Sequence, residues 1–156
     1  MAAKDFADFA FEPTWLHVVT HCAAVCARLG AVEHAGTLLT LLRPYDGQFV
    51  TMSSLAYTGP VAHYLGVLAA TLGRRDEALG HYASAASASE RMGAPTWLAR
   101  TRLEWARCLL DAGETEAAAP LLDRALDTAV QLGLATVERG VQEVRATSAG
   151  VQAPLA

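Results

Sequence analysis

The sequence predicts an all-α fold: a right-handed superhelix of three helical hairpins followed by a C-terminal capping helix. The prediction starts from the stretch 59–94, which reads as two antiparallel helices. Gly73 tolerates the left-handed conformation that ends a helix, and Asp76 and Glu77 place negative charge at the start of the next one. Glycines recur 43 residues before and 40 residues after Gly73, and such a spacing is typical of helical repeat proteins.

Proline and glycine residues, taken in chain order, set the expected boundaries of the helices. Pro13 suits a helix start, Gly30 ends the first helix and Pro44 stops the second. The helices are expected at about residues 14–29, 32–42, 60–72, 76–92, 95–112, 114–132 and 135–146. The predicted organisation is a lead-in at 1–12, a helical repeat domain at 13–149 and a disordered tail at 150–156.

Small and large residues keep a fixed register around the hairpin glycines. Seven residues before each glycine lies a small residue, and nine residues after it lies a large one. A small residue lets two helix backbones approach at their crossing, and the large one fills the space beside it. The pairs are Ala23 with Leu39 around Gly30, Gly66 with Tyr82 around Gly73, and Ala106 with Leu122 around Gly113.

Five segments of the chain carry a resemblance to known helical repeats: WLHVVTHCAAVCARLG, LLRPYDGQFV, GPVAHYLGVLAATLGRRDEALGHY, RMGAPTWLARTRLEWARCLLDAGE and LLDRALDTAVQLG. The spacing of small residues resembles the tetratricopeptide repeat. Over residues 15–146, the segments resemble the C-terminal helical-repeat region of large bacterial signal-transduction ATPase regulators, which are often linked to LuxR-type DNA-binding or class III nucleotide cyclase domains. The resemblance implies a scaffold or sensor region of a bacterial regulatory system. Because the chain has neither a GxxxxGKS/T loop nor a helix-turn-helix after the repeats, we expect a fragment or a stand-alone relative.

Composition and charge argue against several functional classes. The net charge of −4 at pH 7 gives no reason to expect binding to nucleic acid. No apolar run approaches the roughly 18 residues of a membrane-spanning helix, and the N-terminus lacks the apolar stretch of a secretion signal. Three cysteines without a disulfide framework suit a reducing cytoplasm. We therefore expect a cytoplasmic protein that binds neither nucleic acid nor a membrane.

The concave surface of the array is the predicted binding site. The resemblance to tetratricopeptide arrays implies that the first helix of each hairpin lines this surface. Polar, aromatic and basic groups converge there, which suits a protein or peptide partner, with a small-molecule ligand as the alternative. The same positions also fit the merely solvated side of each helix. The candidate residues are His17, Thr20, His21, Arg28, His63, Tyr64, Val67, Thr71, Arg100, Leu103, Glu104, Arg107 and Asp111.

His17, His21, Cys22 and Cys26 are the main candidates for a metal or catalytic centre. Histidine and cysteine bind zinc or copper, and the members of each pair lie four residues apart on one helical face. The two pairs, however, point about 100° apart on the helix, and the repeat register places both cysteines at packed positions. No nucleophile lies in a catalytic motif. We therefore expect no enzymatic activity, no metal and no cofactor, with a small metal protein or enzyme as the minor alternative.

Two further regions are candidates for contact with a partner. Residues 44–59 are expected to form one long irregular connection that serves as a binding loop or a covering flap. Its Phe49, Val50 and Met52 are expected either to reach over the groove or to meet a second chain. The lead-in DFADFAF is apolar on one side, and an exposed apolar end predicts self-association, so we expect a homodimer.

Overall fold

A computed structural model describes residues 14–52 and 56–151, so the predicted lead-in and most of the predicted tail lie outside the described residues. The described chain is mostly helical, in agreement with the predicted all-α class. Its helices are α1 (Trp15–Leu29), α2 (Val32–Leu42), α3 (Val61–Thr71), α4 (Arg75–Met92), α5 (Pro95–Asp111), α6 (Thr115–Leu132) and α7 (Ala135–Val151). A 3-10 turn (Arg43–Tyr45) and two strands, β1 (Phe49–Met52) and β2 (Ala56–Pro60), lie between α2 and α3.

The three repeat glycines end the first helix of each hairpin. Gly30, Gly73 and Gly113 have φ angles of 61°, 70° and 79°, in the left-handed region that favours glycine. The next residue then donates its backbone N–H to a carbonyl of the last helical turn, as from Arg74 to the oxygen of Ala69 at 2.9 Å. Because the links are so short, the two helices of each hairpin pack as antiparallel neighbours.

The helices stack in chain order. Each helix contacts the next along the chain, and α1 also contacts α3, α3 contacts α5, and α5 contacts α7. The odd-numbered helices therefore form one continuous layer. None of the helices in the described ranges is both long and apolar enough to cross a membrane.

The predicted register of small and large residues is present in the core. All six residues of the three pairs are buried, and a Cβ added at Gly66 would lie only 2.6 Å from the Tyr82 ring. Ala23 lies in one core cluster with Leu39, and Ala106 lies in another with Leu122. The small residue of the first helix thus packs directly against the large residue of the second in the central hairpin, and the members of each of the other two pairs share one core cluster.

Two glycine variants test this packing. Gly66→Ala is expected to destabilise the fold by about 1–2 kcal/mol, because overpacking against Tyr82 outweighs the gain in helix propensity. Gly80→Ala, in the middle of α4 where nothing lies within 4 Å of an added Cβ, is the matched control. It is expected to stabilise the fold by about 0.5–1 kcal/mol. Urea unfolding measures both, and a Gly66→Ala variant as stable as Gly80→Ala would contradict the register.

The connection at 44–59 differs from the irregular loop expected. Strands β1 and β2 pair antiparallel, with Thr51 opposite Tyr57, and a bulge lies between Phe49 and Thr51. Val50 is fully buried in the core, so it neither reaches over the groove nor meets a second chain. Strands of four and five residues give almost no periodic signal, and the surrounding turn formers hide them. Met52, in contrast, is 38% exposed.

Helix α7 continues five residues beyond its expected end at Ala146 and includes the first two residues of the predicted tail. Thr147 and Ser148 read as helix-breaking in the sequence because their hydroxyls compete for backbone groups. Here each hydroxyl donates to the carbonyl four residues earlier, at 3.0 Å and 2.9 Å. The helix can therefore continue through both residues.

Candidate functional site

A cleft of about 650 Å³ lies along the layer of odd-numbered helices. We call it the central cleft. Helices α1, α3, α5 and α7 and strand β2 supply its walls. Nine of the thirteen residues expected on the concave surface line it: His21, Arg28, His63, Tyr64, Val67, Arg100, Leu103, Glu104 and Arg107. The sequence prediction did not include seven others that line it: Ala24, Ala27, Thr58, Trp97, Thr136, Val137 and Glu143.

The other four candidate residues lie outside the cleft wall. Thr20 is fully buried and donates its hydroxyl to the carbonyl of His17 at 2.9 Å, so it does not face a groove. The half-buried Thr71 donates to the carbonyl of Val67 in the same helix. Asp111 is exposed at the end of α5. The ring of His17 lies 4.2 Å from that of His21, with Nδ1 3.4 Å from the Thr58 hydroxyl.

An aromatic cluster of His63, Tyr64 and Trp97 lines part of the central cleft. The ring centroids of His63 and Trp97 lie 5.4 Å apart, and those of Tyr64 and Trp97 lie 5.9 Å apart. Nδ1 of His63 lies 3.0 Å from the buried hydroxyl of Thr101. The hydroxyl of Tyr64 donates to the backbone carbonyl of Thr58 at 2.5 Å. These contacts fix the three rings and attach strand β2 to the cleft wall.

Burial keeps both ionisable rings of the cluster neutral at pH 7. Desolvation, with a smaller contribution from the nearby Arg100 guanidinium, lowers the pKa of His63 to about 4. Desolvation likewise raises the pKa of Tyr64 to about 12, against smaller opposing effects of Arg100 and of hydrogen bonds. The cluster therefore offers a ligand apolar faces and no charge of its own.

Gly59 positions Trp97. The backbone of Gly59 has a φ of 103°, and an added Cβ would lie 2.5 Å from the indole ring. Only a residue without a side chain lets β2 pass this close to Trp97. The guanidinium of Arg100 lies over the indole ring of Trp97 in a cation–π contact, with its central carbon 4.9 Å from the ring centroid.

The charged side chains that line the cleft are those of three arginines and two glutamates: Arg28, Arg100, Arg107, Glu104 and Glu143. Arg28 and Arg100 take part in no ion pair within the described residues. Several arginines elsewhere are paired, for example Arg43 with Glu77 at 2.6 Å and Arg102 with Glu90 at 3.1 Å, whereas Arg124 and Arg139 are exposed to solvent without an ion pair among the described residues. The cleft thus holds cationic side chains that are available to an anionic group.

Glu104 and Arg107 both line the central cleft and lie close to each other. Nη1 of Arg107 lies 3.8 Å from Oε1 of Glu104, which is longer than a charge-assisted hydrogen bond. Burial raises the pKa of the Glu104 carboxyl, and the positive charges of Arg107 and Arg28 oppose this effect. Gly140 of α7 allows the close approach of α5, because an added Cβ would lie 3.2 Å from Nη2 of Arg107.

The His17–Cys26 cluster does not assemble around one point. The thiol of Cys26 points to the carbonyl of Ala31 at 3.1 Å, and Nδ1 of His21 lies 2.9 Å from the carbonyl of His17. Burial raises the pKa of both thiols, which disfavours the thiolate form that metals bind. Across residues 14–52 and 56–151, no group of three or more His, Cys, Asp or Glu side chains has an arrangement suited to a metal ion.

Comparisons with protein-family models, with curated proteins and with solved structures found no match.

Proposed function

We propose that the protein is a non-catalytic interaction module, a right-handed superhelix of the tetratricopeptide type that binds an acidic peptide segment in its central cleft. The 43- and 40-residue spacing of the hairpin glycines supports the repeat arrangement. The contacts between successive odd-numbered helices support a shared inner layer. The cleft on that layer supplies the binding surface.

The observation that carries the proposal is the setting of Arg100. Its guanidinium rests on the Trp97 ring in the wall of the cleft and has no carboxylate partner among the described residues. Stacking restrains the side chain before binding, which reduces the entropy lost when a carboxylate binds. Arg28 adds a second cation without an ion pair, and Arg107 adds a third. An anionic partner would therefore meet prepositioned donors in a partly desolvated cleft.

A peptide segment is favoured over a compact ligand because the cationic groups are spread along the cleft. Arg100 and Arg107 lie seven residues apart on α5, about 10 Å at the helical rise, which matches about three residues of an extended peptide. Arg28 reaches the cleft from a different helix, α1. A small-molecule ligand is the second candidate, because β2 lines the cleft at Thr58 and joins the connection expected to act as a flap.

A peptide array tests the proposal. Short alanine-based peptides carrying two aspartates at varied spacing are fixed through their C-termini, and matched peptides carry asparagine instead. We expect binding only to aspartate peptides, with an affinity that falls as salt rises. For the best peptide in solution, Arg100→Ala is expected to weaken binding about tenfold, because a charge-assisted hydrogen bond is lost.

Arg124→Ala is the matched control, since Arg124 is exposed on α6 outside the cleft and its loss changes the net charge equally. We expect little change in affinity. Equal binding of asparagine peptides, or equal losses in the two arginine variants, would contradict the proposed site. A co-purified small molecule that native mass spectrometry detects and that raises the melting temperature would instead favour the second candidate.

The cellular setting is proposed from the family resemblance. This resemblance favours a cytoplasmic module of a bacterial regulatory system that acts in signal transduction or transcription regulation through a protein partner. A homodimer stays a prediction. Exposed Val25, Leu29 and Val32 on the first hairpin provide an apolar area that supports it, with 55%, 75% and 55% of their surfaces accessible.

A further inference from the structure

His17 and His21 of α1 form a pair of neighbouring imidazole rings beside the central cleft. The two residues lie four positions apart, so their side chains share one face of the helix. Their ring centroids are 4.2 Å apart, and His21 lines the cleft. Two histidines at this spacing on a helix are a common pair of zinc ligands. The spacing alone, however, does not show which ring nitrogens are available to an ion.

The hydrogen bond of His21 determines which of its ring nitrogens carries the proton. Its Nδ1 lies 2.9 Å from the backbone carbonyl oxygen of His17. Because a carbonyl oxygen only accepts hydrogen bonds, Nδ1 carries the proton and donates this bond. In the neutral ring, the lone pair of Nε2 is therefore available to a metal ion.

A contact with strand β2 determines the protonation of His17 in the same way. Its Nδ1 lies 3.4 Å from the hydroxyl oxygen of Thr58, and that hydroxyl donates its own hydrogen to the carbonyl of Val50 at 3.3 Å. The Thr58 oxygen therefore accepts the Nδ1 hydrogen, and Nε2 of His17 also keeps its lone pair. Burial and the neighbouring His21 lower the pKa of His17, which favours the neutral form that metals bind.

The contacts of the two Nδ1 atoms are those of metal-binding histidines. Such a histidine usually donates its other ring N–H to an oxygen, and this second contact orients the ring. Two zinc–nitrogen bonds of about 2.0–2.1 Å together span about 4 Å. The ring centroids lie a comparable 4.2 Å apart. Paired imidazoles also favour zinc, copper or nickel over magnesium or calcium, which prefer oxygen ligands.

We propose that His17 and His21 bind one divalent transition-metal ion of the class that prefers imidazole, through their two Nε2 atoms. Water fills the remaining coordination positions. The site needs only two protein ligands, so it does not require a group of three among the described residues. It departs from the expectation of no metal, which considered the histidines together with Cys22 and Cys26. It is separate from the peptide proposal, which stands or falls on its own test.

Calorimetric titration of the full, tag-free chain with Zn²⁺ tests the site. We expect saturable binding of one Zn²⁺ per chain, and no binding of Mg²⁺. His17→Gln and His21→Gln are each expected to weaken Zn²⁺ binding more than about tenfold, because only one imidazole remains. His34→Gln, on α2, is the matched control and is expected to leave the affinity unchanged.

Thr58→Val tests whether the rings are positioned rather than merely present. The variant keeps both imidazoles but removes the hydroxyl that accepts the Nδ1 hydrogen of His17. We expect it to weaken Zn²⁺ binding about tenfold. Nitrogen-15 spectra of the histidine rings add a second measurement: without metal, the proton is expected on Nδ1 of both His17 and His21, and Zn²⁺ is expected to shift both Nε2 signals.

Full affinity for Zn²⁺ in either histidine variant would overturn the proposal, as would an equal loss in His34→Gln. A proton on Nε2 of either ring in the metal-free chain would overturn it too, and so would full affinity in Thr58→Val, because the rings would then need no positioning. Circular dichroism establishes that each variant is folded. His21→Gln alters an exposed side chain, so we expect it to fold as the unmodified chain does.

Discussion

Gly59→Ala is expected to destabilise the protein by about 3 kcal/mol. Two separate losses of folding free energy add at this position, one from backbone strain and one from a steric contact. An alanine at a φ of 103° is strained, by about 1–3 kcal/mol. Its methyl group would also lie 2.5 Å from the Trp97 ring, and relieving that contact by moving the ring or the strand costs a similar amount. Because Trp97 lines the central cleft, the variant is also expected to bind the aspartate peptide more weakly.

Gly47→Ala separates the two costs. Gly47 lies in the same connection and has a φ of 85°, but nothing lies within 4 Å of an added Cβ. We therefore expect it to lose only about 1–2 kcal/mol and to bind the peptide normally. Urea unfolding followed by circular dichroism measures both variants. Equal losses of stability would show that the close approach of β2 to Trp97 has no energetic role.

Acidification from pH 6.5 to pH 4 is expected to remove about 3 kcal/mol of stability through His63 alone. Burial lowers the pKa of His63 to about 4 in the folded protein, whereas the ordinary pKa of histidine, expected in the unfolded chain, is 6.5. The unfolded chain therefore takes up the proton first as the pH falls, and the folded state loses stability across this window. Well above pH 6.5 the histidine is neutral in both states and contributes no pH dependence.

His63→Gln isolates this effect, because glutamine stays neutral and can still hydrogen-bond Thr101. The difference in unfolding free energy between the unmodified chain and the variant is expected to change by about 3 kcal/mol between pH 7 and pH 4. His21→Gln, at an exposed histidine of the same cleft, is expected to leave the contribution of His63 intact. A difference that is constant with pH for His63→Gln would contradict a buried neutral imidazole.

The helical hairpins are predictable from the sequence because their signals are local. A glycine that ends a helix acts through its own backbone conformation, so Gly30 and Gly113 identify hairpins without knowledge of the tertiary structure. The contact of Gly66 with Tyr82 follows from the same reasoning, since short hairpins fix which residues face each other. Most of the cleft-lining residues on α1, α3 and α5 follow from applying that register to successive repeats.

The remainder of the cleft depends on contacts between distant segments. The sequence places Trp97 near a helix start, but its position in the cleft results from Gly59, which lies 38 residues earlier. Helix α7 was expected only as a cap, so the contribution of Glu143 was missed. Continuing the repeat register past Gly133 would have placed α7 in the inner layer. The environment of Glu104 has no sequence signal, because burial and the spacing to Arg107 exist only in the folded chain.

The most direct test of the account is the response of the three tryptophan indole N–H signals in a nitrogen-15 correlation spectrum during titration with the aspartate peptide. Trp97 lines the central cleft, whereas Trp15 and Trp105 pack against the core elsewhere. Trp97→Phe assigns the signal. The account predicts that the Trp97 signal moves with saturable dependence on peptide concentration while the other two stay in place. An unmoved Trp97 signal, or equal shifts of all three, would contradict binding in the central cleft.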